Sequence, residues 1–186
     1  MNKEKIKIGG ESVLYFNLGN NYSNVFSIRF GDTNNIFELD LYVLGNEICS
    51  GVCALSNRIE ESDYELPDIN DLEKKYIASY FSESGPINVE NAGSFSIIYN
   101  QKDMHICFKP KSLIKSYYEL GRLILYYDDK YGLCDIRIKD LTEEEYNFLK
   151  QEELNPGSYL SNNSYGNDES KYDIIDIDEQ MKGMNR

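Results

Sequence analysis

Between residues 14 and 43 the chain alternates apolar and polar residues with a period of two. Leu14, Phe16 and Leu18 share one face, as do Phe26, Ile28 and Phe30, and then Phe37, Leu39, Leu41 and Val43. Gly19-Asn20-Asn21, 31–35 and Gly45-Asn46 separate these runs. Alternation bounded by Gly and Asn marks successive antiparallel strands joined by tight turns. A further strand is expected around 52–55. After a break the pattern resumes at 95–99 and 104–108 across the turn Asn100-Gln101-Lys102-Asp103, and again at 123–127 and 133–139 around 128–132.

Three segments read differently. Residues 57–67 read as a loop ended by Pro67. Beyond it, Ile69, Leu72, Tyr76, Ile77, Tyr80 and Phe81 fall on one stripe at helical spacing, so a helix is expected over 69–81. Asn70 and Glu73, or Asp68, would cap that helix, and Ser84-Gly85-Pro86 would end it. A short helix from Ser112 to Gly121 competes with a strand over the same residues. At 142–154 the signals are strongest: Thr142 and Glu145 match a capping box, Leu141 and Tyr146 occupy the hydrophobic-staple positions, and Pro156 closes the helix.

These elements predict an α+β fold, a mainly antiparallel sheet of about seven to nine strands with two or three helices packed on it. A single domain is expected over 1–154. The Ser-, Asn- and Gly-rich remainder, 155–186, reads as an acidic flexible tail, with Tyr172-Asp173-Ile174-Ile175 near its end.

Charge adds the feature that most needs explaining. The 186 residues carry a formal charge of −13, with one histidine and no tryptophan. Glu60, Glu61, Asp63, Glu65, Asp68, Asp71 and Glu73 follow one another without a Lys or Arg between them. Glu143, Glu144 and Glu145 form a second group, and the tail holds a smaller excess. Asp68, Asp71 and Glu73 suit the first turn of the expected helix, and Glu143–Glu145 the first turn of the next, where negative charge favours the helix dipole. Glu60, Glu61, Asp63 and Glu65, with Tyr64 among them, have no such local cause. Acids around an aromatic residue fit an interface that takes Lys or Arg from a basic partner. The expected partner-binding set is therefore Glu60, Glu61, Asp63, Tyr64, Glu65, Asp68 and Asp71.

Catalytic patterns are sparse. A single histidine, His105, leaves no two-histidine metal motif. His105 and Cys107 share a strand face, but Met104, Ile106 and Phe108 make the more apolar one, so the pair is expected on the wetter side. Cys49-x3-Cys53 with His105-x-Cys107 is a poor match to zinc spacing. The four cysteines, Cys134 included, read as buried thiols of a reducing, cytoplasmic compartment. Glu38 and Asp40 share a face, where cross-strand pairing with Arg29, Arg137 or Lys139 accounts for them. Phosphate-binding glycine loops and a nucleophile elbow are missing. Neither cofactor nor metal is expected, and the negative charge disfavours direct nucleic-acid binding. Residues 1–10 lack the apolar core of a signal peptide, and no apolar run is long enough to span a bilayer.

The expectation is thus a non-catalytic acidic protein that neutralises a basic partner, in the manner of an immunity or antitoxin protein facing a toxin nuclease. That analogy rests on charge and on the absent catalytic groups only. A nucleic-acid-mimicking decoy of the phage anti-defence type is the alternative, and it requires carboxylates strung across several elements. A small hydrolase or ligand-binding protein built on His105, Cys107, Glu38 or Asp40, and a scaffold subunit, are further alternatives.

Overall fold

The period-two runs form the strands they predict. The computed structural model describes residues 5–19, 24–44, 47–80, 93–130 and 132–162. Five strands, β1 (Lys5–Ile8), β2 (Leu14–Asn17), β3 (Val25–Asp32), β4 (Asn35–Tyr42) and β5 (Ile48–Ser56), make one antiparallel sheet in the order β1-β2-β5-β4-β3. Seven more make a second: β6 (Ile59–Glu61), β7 (Glu73–Lys74), β8 (Ser96–Tyr99), β9 (Met104–Cys107), β10 (Ser116–Leu120), β11 (Leu123–Tyr127) and β12 (Leu133–Ile138). Their order is β6-β8-β9-β12-β11-β10-β7. Its interior pairings are antiparallel, whereas both edge pairings, β6 with β8 and β7 with β10, are parallel.

One apolar core lies between the sheets. Leu14, Phe16, Ile28, Phe37, Leu39 and Leu41 meet Ile97, Tyr99, Met104, Ile106, Leu125 and Ile136, all fully buried. Phe108 joins the two sheets, its ring 4.7 Å from that of Phe30 and 5.3 Å from that of Phe37. Val43, grouped by alternation with Leu41, instead lies beyond the end of β4 in a turn and is exposed. The hairpin turn at Asn100 is held by its side chain, which accepts from the N–H groups of Lys102 and Asp103.

The α+β class and the mainly antiparallel sheets match expectation, but the strands are more numerous and the helices fewer. No helix forms over the described part of 69–81. Ile69–Asp71 is one 3₁₀ turn, capped by Asp68, whose carboxylate accepts from Asn70 N–H at 2.9 Å. The chain then runs extended. The backbone partners a helix would have supplied come instead from the sheets: Glu73 N–H donates to Lys115 O, Lys75 N–H to Tyr117 O, and Ala78 O accepts from Ile48 N–H. The apolar stripe divides accordingly. Leu72 packs on the seven-stranded sheet, Tyr80 enters the main core, and Tyr76 and Ile77 stay exposed. Phe81 and Ser84-Gly85-Pro86 lie outside the described residues. The segment after Pro110 takes the strand alternative, with only a 3₁₀ turn at Lys111–Leu113 before β10, and Ser112 caps nothing.

The expected C-terminal helix, α1 (Glu143–Leu154), has both halves of its capping box: Thr142 Oγ1 accepts from Glu145 N–H and Glu145 Oε2 from Thr142 N–H. The chain does not leave the body at 155. It turns at Gly157, whose φ of +77° suits glycine, into α2 (Ser158–Asn162). Tyr159 is buried against Phe148 and donates its hydroxyl hydrogen to Ala54 O. Residues 163–186 lie outside the described residues. Among those described, no helix is long and apolar enough to cross a membrane.

Candidate functional site: an acid-bearing strap across the sheet

The segment expected as an acidic loop begins as a strand. Ile59–Glu61 pairs parallel with β8 at one edge of the seven-stranded sheet, and Glu73–Lys74 pairs with β10 at the opposite edge. Residues 62–72 therefore cross the whole outer face of that sheet, as a strap joining its two edges. With seven strands about 4.8 Å apart, the crossing is about 29 Å wide.

Alternation decides what the strap buries. Tyr64, Leu66, Ile69 and Leu72 are half-buried, while Asp63, Glu65, Asp68 and Asp71 are exposed. Leu66, Ile69 and Leu72 pack with Tyr117 on a second, smaller core of Ile114, Ile124, Tyr126 and Cys134. The same pattern that gives the strap its apolar underside lifts its carboxylates into water. Lys111 fastens it by donating to Glu65 O at 2.9 Å, with its ammonium 5.2 Å from the centre of the Tyr64 ring.

The expected partner-binding residues are thus brought onto one ridge, with two qualifications. Tyr64 faces inward, its ring 4.9 Å from the imidazole of His105. Glu61 is held at its end of the ridge, accepting from Tyr146 Oη at 2.5 Å while its own N–H donates to Glu153. Tyr99 Oη donates to the same Glu153 carboxylate, so α1 is clipped to β6. Glu61, Ser62 and Asp63 also line a cavity of about 580 Å³ with Asn100, Gln101 and Lys102, where the ridge begins.

Among the described residues, six acids elsewhere are ion-paired with Arg or Lys, whereas those of the ridge, like Glu11, Asp129, Asp140, Glu143 and Glu144, are not. Asp32, Glu38, Asp103, Glu119, Asp128 and Glu145 face Arg58, Arg29, Arg137, Lys139, Lys109 and Arg122 within 4.0 Å. Among the described residues, no such cation meets the carboxylates of Glu60, Asp63, Glu65, Asp68 or Asp71 (Glu73, at the far end, pairs with Lys75). Glu38 is paired as expected. Asp40 is not: two serine hydroxyls, of Ser27 and Ser50, donate to it at 2.6 Å each.

Beneath the strap lies the one group of ionisable side chains the alternation places wrongly. His105 and Cys107 are not on a wet face, because the strap covers it. His105 and Asp135 are each 1% exposed, with His105 Nδ1 3.1 Å from Asp135 Oδ1. Burial pushes the Asp135 carboxyl up, while the hydrogen bond from His105 pulls it down, leaving it raised. Burial likewise pushes up the Cys107 thiol and the Tyr64 hydroxyl. A raised thiol is the opposite of an activated nucleophile. Burial pushes Cys134 up to about 12, and Cys49, on the other sheet, to about 11. All four cysteines are free thiols. Among the described residues, no three His, Cys, Asp or Glu side chains converge as metal ligands.

Sequence reasoning missed Asp135 and the strap's contact with His105. The chain offered no local signal for either, since a covered second face depends on where residue 64 returns in space. Neither a protein-family model nor a curated protein sequence matches this chain.

Proposed function

We propose that this chain is a non-catalytic acidic binding protein that neutralises a basic partner, an inhibitor of the immunity or antitoxin kind acting on a nucleic-acid enzyme. The observation that carries the reading is the ridge of Glu60, Asp63, Glu65, Asp68 and Asp71. These exposed carboxylates follow one another in a row with no cation among the described residues, whereas Asp32, Glu38, Asp103, Glu119, Asp128 and Glu145 each face an Arg or Lys. Unmatched like charge held in a fixed row produces a field that speeds encounter with a basic surface. In this reading the ridge and Glu61 meet Lys and Arg of the partner's substrate-binding face, and Tyr64 holds the row in register from below. Inhibition is by occlusion and requires no chemistry.

The test removes charge and leaves the fold. Glu60→Gln, Asp63→Asn, Glu65→Gln and Asp71→Asn are combined, sparing Glu61 and Asp68 because both make structural hydrogen bonds. The protein is immobilised, partners are captured from host lysate and identified by mass spectrometry, and association is then measured with the purified partner. We expect the fourfold variant to associate about 10- to 100-fold more slowly, and wild-type association to fall steeply between about 50 and 200 mM salt. Equal association rates for the two proteins would exclude the ridge.

The ridge's extent favours a second reading, the nucleic-acid mimic. Its acids continue from β6 across the 3₁₀ turn to β7 and do not cluster in one loop, and outward residues along an extended chain recur about every 6.6 Å. A mimic binds several unrelated duplex-binding proteins, whereas an immunity-type inhibitor binds one, so the number of partners captured separates the two.

A further inference from the structure

Between the strap and the sheet is a charge count that does not balance. Asp135 on the covered face and Asp103 in the turn before β9 supply two carboxylates against the single guanidinium of Arg137, which gives its Nη2 hydrogen to Asp103 at 2.7 Å. Arg137 Nε and Asp135 Oδ2 are both buried without a hydrogen-bond partner, two residues apart on the same face of β12. His105 stands directly across from Arg137 in the ladder, with Asp135 Oδ1 against its Nδ1. The other groups facing the imidazole are Cys107 on its own strand, Ile98 from β8 and Tyr64 from the strap. Tyr126 of β11, across the ladder from Asp135, does not supply charge. With a neutral imidazole the cluster holds one uncompensated negative charge, its Asp135 share buried at 1% exposure while Arg137 and Asp103 stay partly exposed, and one added proton brings it to zero.

We propose that the His105–Asp135 pair is a proton-operated latch for the strap: uptake of one proton tightens the seating of residues 62–72 on the sheet, and its loss loosens it. The proton lodges on the pair as a unit, shared between Nδ1 and Oδ1, so the titration belongs to both residues. The coupling to the strap is direct. Tyr64 of the strap meets the imidazole edge to face, ring centres 4.9 Å apart, so whatever repels water from or admits it to the pair acts on Tyr64 first. The sign follows from the raised acid. A buried carboxyl that holds its proton better folded than unfolded adds stability at low pH, and that stability is lost as pH rises through its folded value. The strap is therefore held more firmly in mild acid, opposite to what protonating the ion-paired acids elsewhere does. This latch stands whether or not the ridge binds a basic partner, since it concerns the strap's seating alone.

The single histidine makes the experiment clean. The imidazole signals of full-length protein are followed by NMR from about pH 8 to about 5.5, the range in which imidazole changes charge. Amide exchange is measured in parallel at the strap's ends, Ser62 N–H (to Tyr99 O) and Glu73 N–H (to Lys115 O), after correction for intrinsic rates. We expect exchange at both ends to slow about threefold or more as the imidazole signals move, with the Tyr64 ring signals moving at the same midpoint, while α1 amides do not follow. Asp135→Asn and His105→Gln, each keeping a hydrogen-bonding amide at the pair, should flatten the step. If Asp135→Asn fails to fold, the wild-type coincidence and His105→Gln decide. Imidazole signals that do not move across the range, movement of them with no change at Ser62, Tyr64 or Glu73, or an undiminished step in His105→Gln, overturns the latch.

Discussion

At the scale of single residues, the α1 cap is the most concentrated stabilising device. Thr142 and Glu145 satisfy each other's N–H groups, and Glu145 also receives both Nη groups of Arg122 at 3.2 and 2.6 Å. Arg122 Nε in turn donates to Lys139 O, so the cap is bolted to the sheet. Thr142→Ala should lower stability by about 1 kcal/mol, read as a shifted urea midpoint with unchanged slope. Burial pushes the Glu145 carboxyl up, but Arg122 and Thr142 more than offset it and leave it lowered. A lowered acid contributes stability above its unfolded value, near 4.5, that is lost as pH falls. Glu145→Gln should therefore unfold less steeply between about pH 6 and 3 than wild type, a comparison made by thermal melts across pH. A second such residue is Glu152, buried at 1% exposure, which accepts from Gly157 N–H and Ser158 Oγ at 2.7 Å each. Replacing it with Ala removes two charge-assisted bonds that hold α2, at about 2 kcal/mol.

At the scale of elements, the strap separates two ways of reading one stripe. Were 69–81 a helix, Ile69, Leu72, Tyr76 and Tyr80 would share a buried side and truncating any of them would be damaging. With the chain extended, Tyr80→Ala should cost about 3 kcal/mol and Leu72→Ala about 1–2, while Tyr76→Ala, at 88% exposure, should fall within about 0.5 of wild type. Equal losses at Leu72 and Tyr76 in denaturant titrations would refute that arrangement. The comparison also shows what the chain's pattern could and could not reveal. Strands β2 to β4, β8, β9, β11 and β12 were legible because both their turn residues and their buried faces are local, whereas over β10 a helix and a strand competed. The acids at 60–71 were legible as a group, but not as the upper side of an extended segment, because polar alternation with Tyr64 and Leu66 resembles a loop until a sheet is placed under it. His105 was read as wet for the same reason: its neighbours in sequence make one face apolar, and only the strap makes the other face dry.

At the scale of the molecule, the ridge is a liability as well as a surface. A row of unpaired carboxylates on a protein of charge −13 repels itself in the folded state more than in the expanded one. The fourfold neutralised variant should melt about 2–4 °C higher than wild type at about 10 mM salt, and the gap should shrink at about 0.5 M as screening removes the repulsion. A gain of stability with a loss of association would be the usual exchange at a functional surface. The strap's two anchorages carry a further implication for how the protein comes into being. β6 must find β8, and β7 must find β10, partners 38 and 43 residues downstream at Ile59↔Ile97 and Ser116↔Glu73. Distant parallel pairings pay their loop-closure entropy before any contact rewards it, so they form late. The charged row is thus assembled only on a finished sheet. During synthesis or refolding, a chain still missing β10 has the acids but not the row, and binding competence should appear as the final kinetic phase, after the core strands are already protected from exchange.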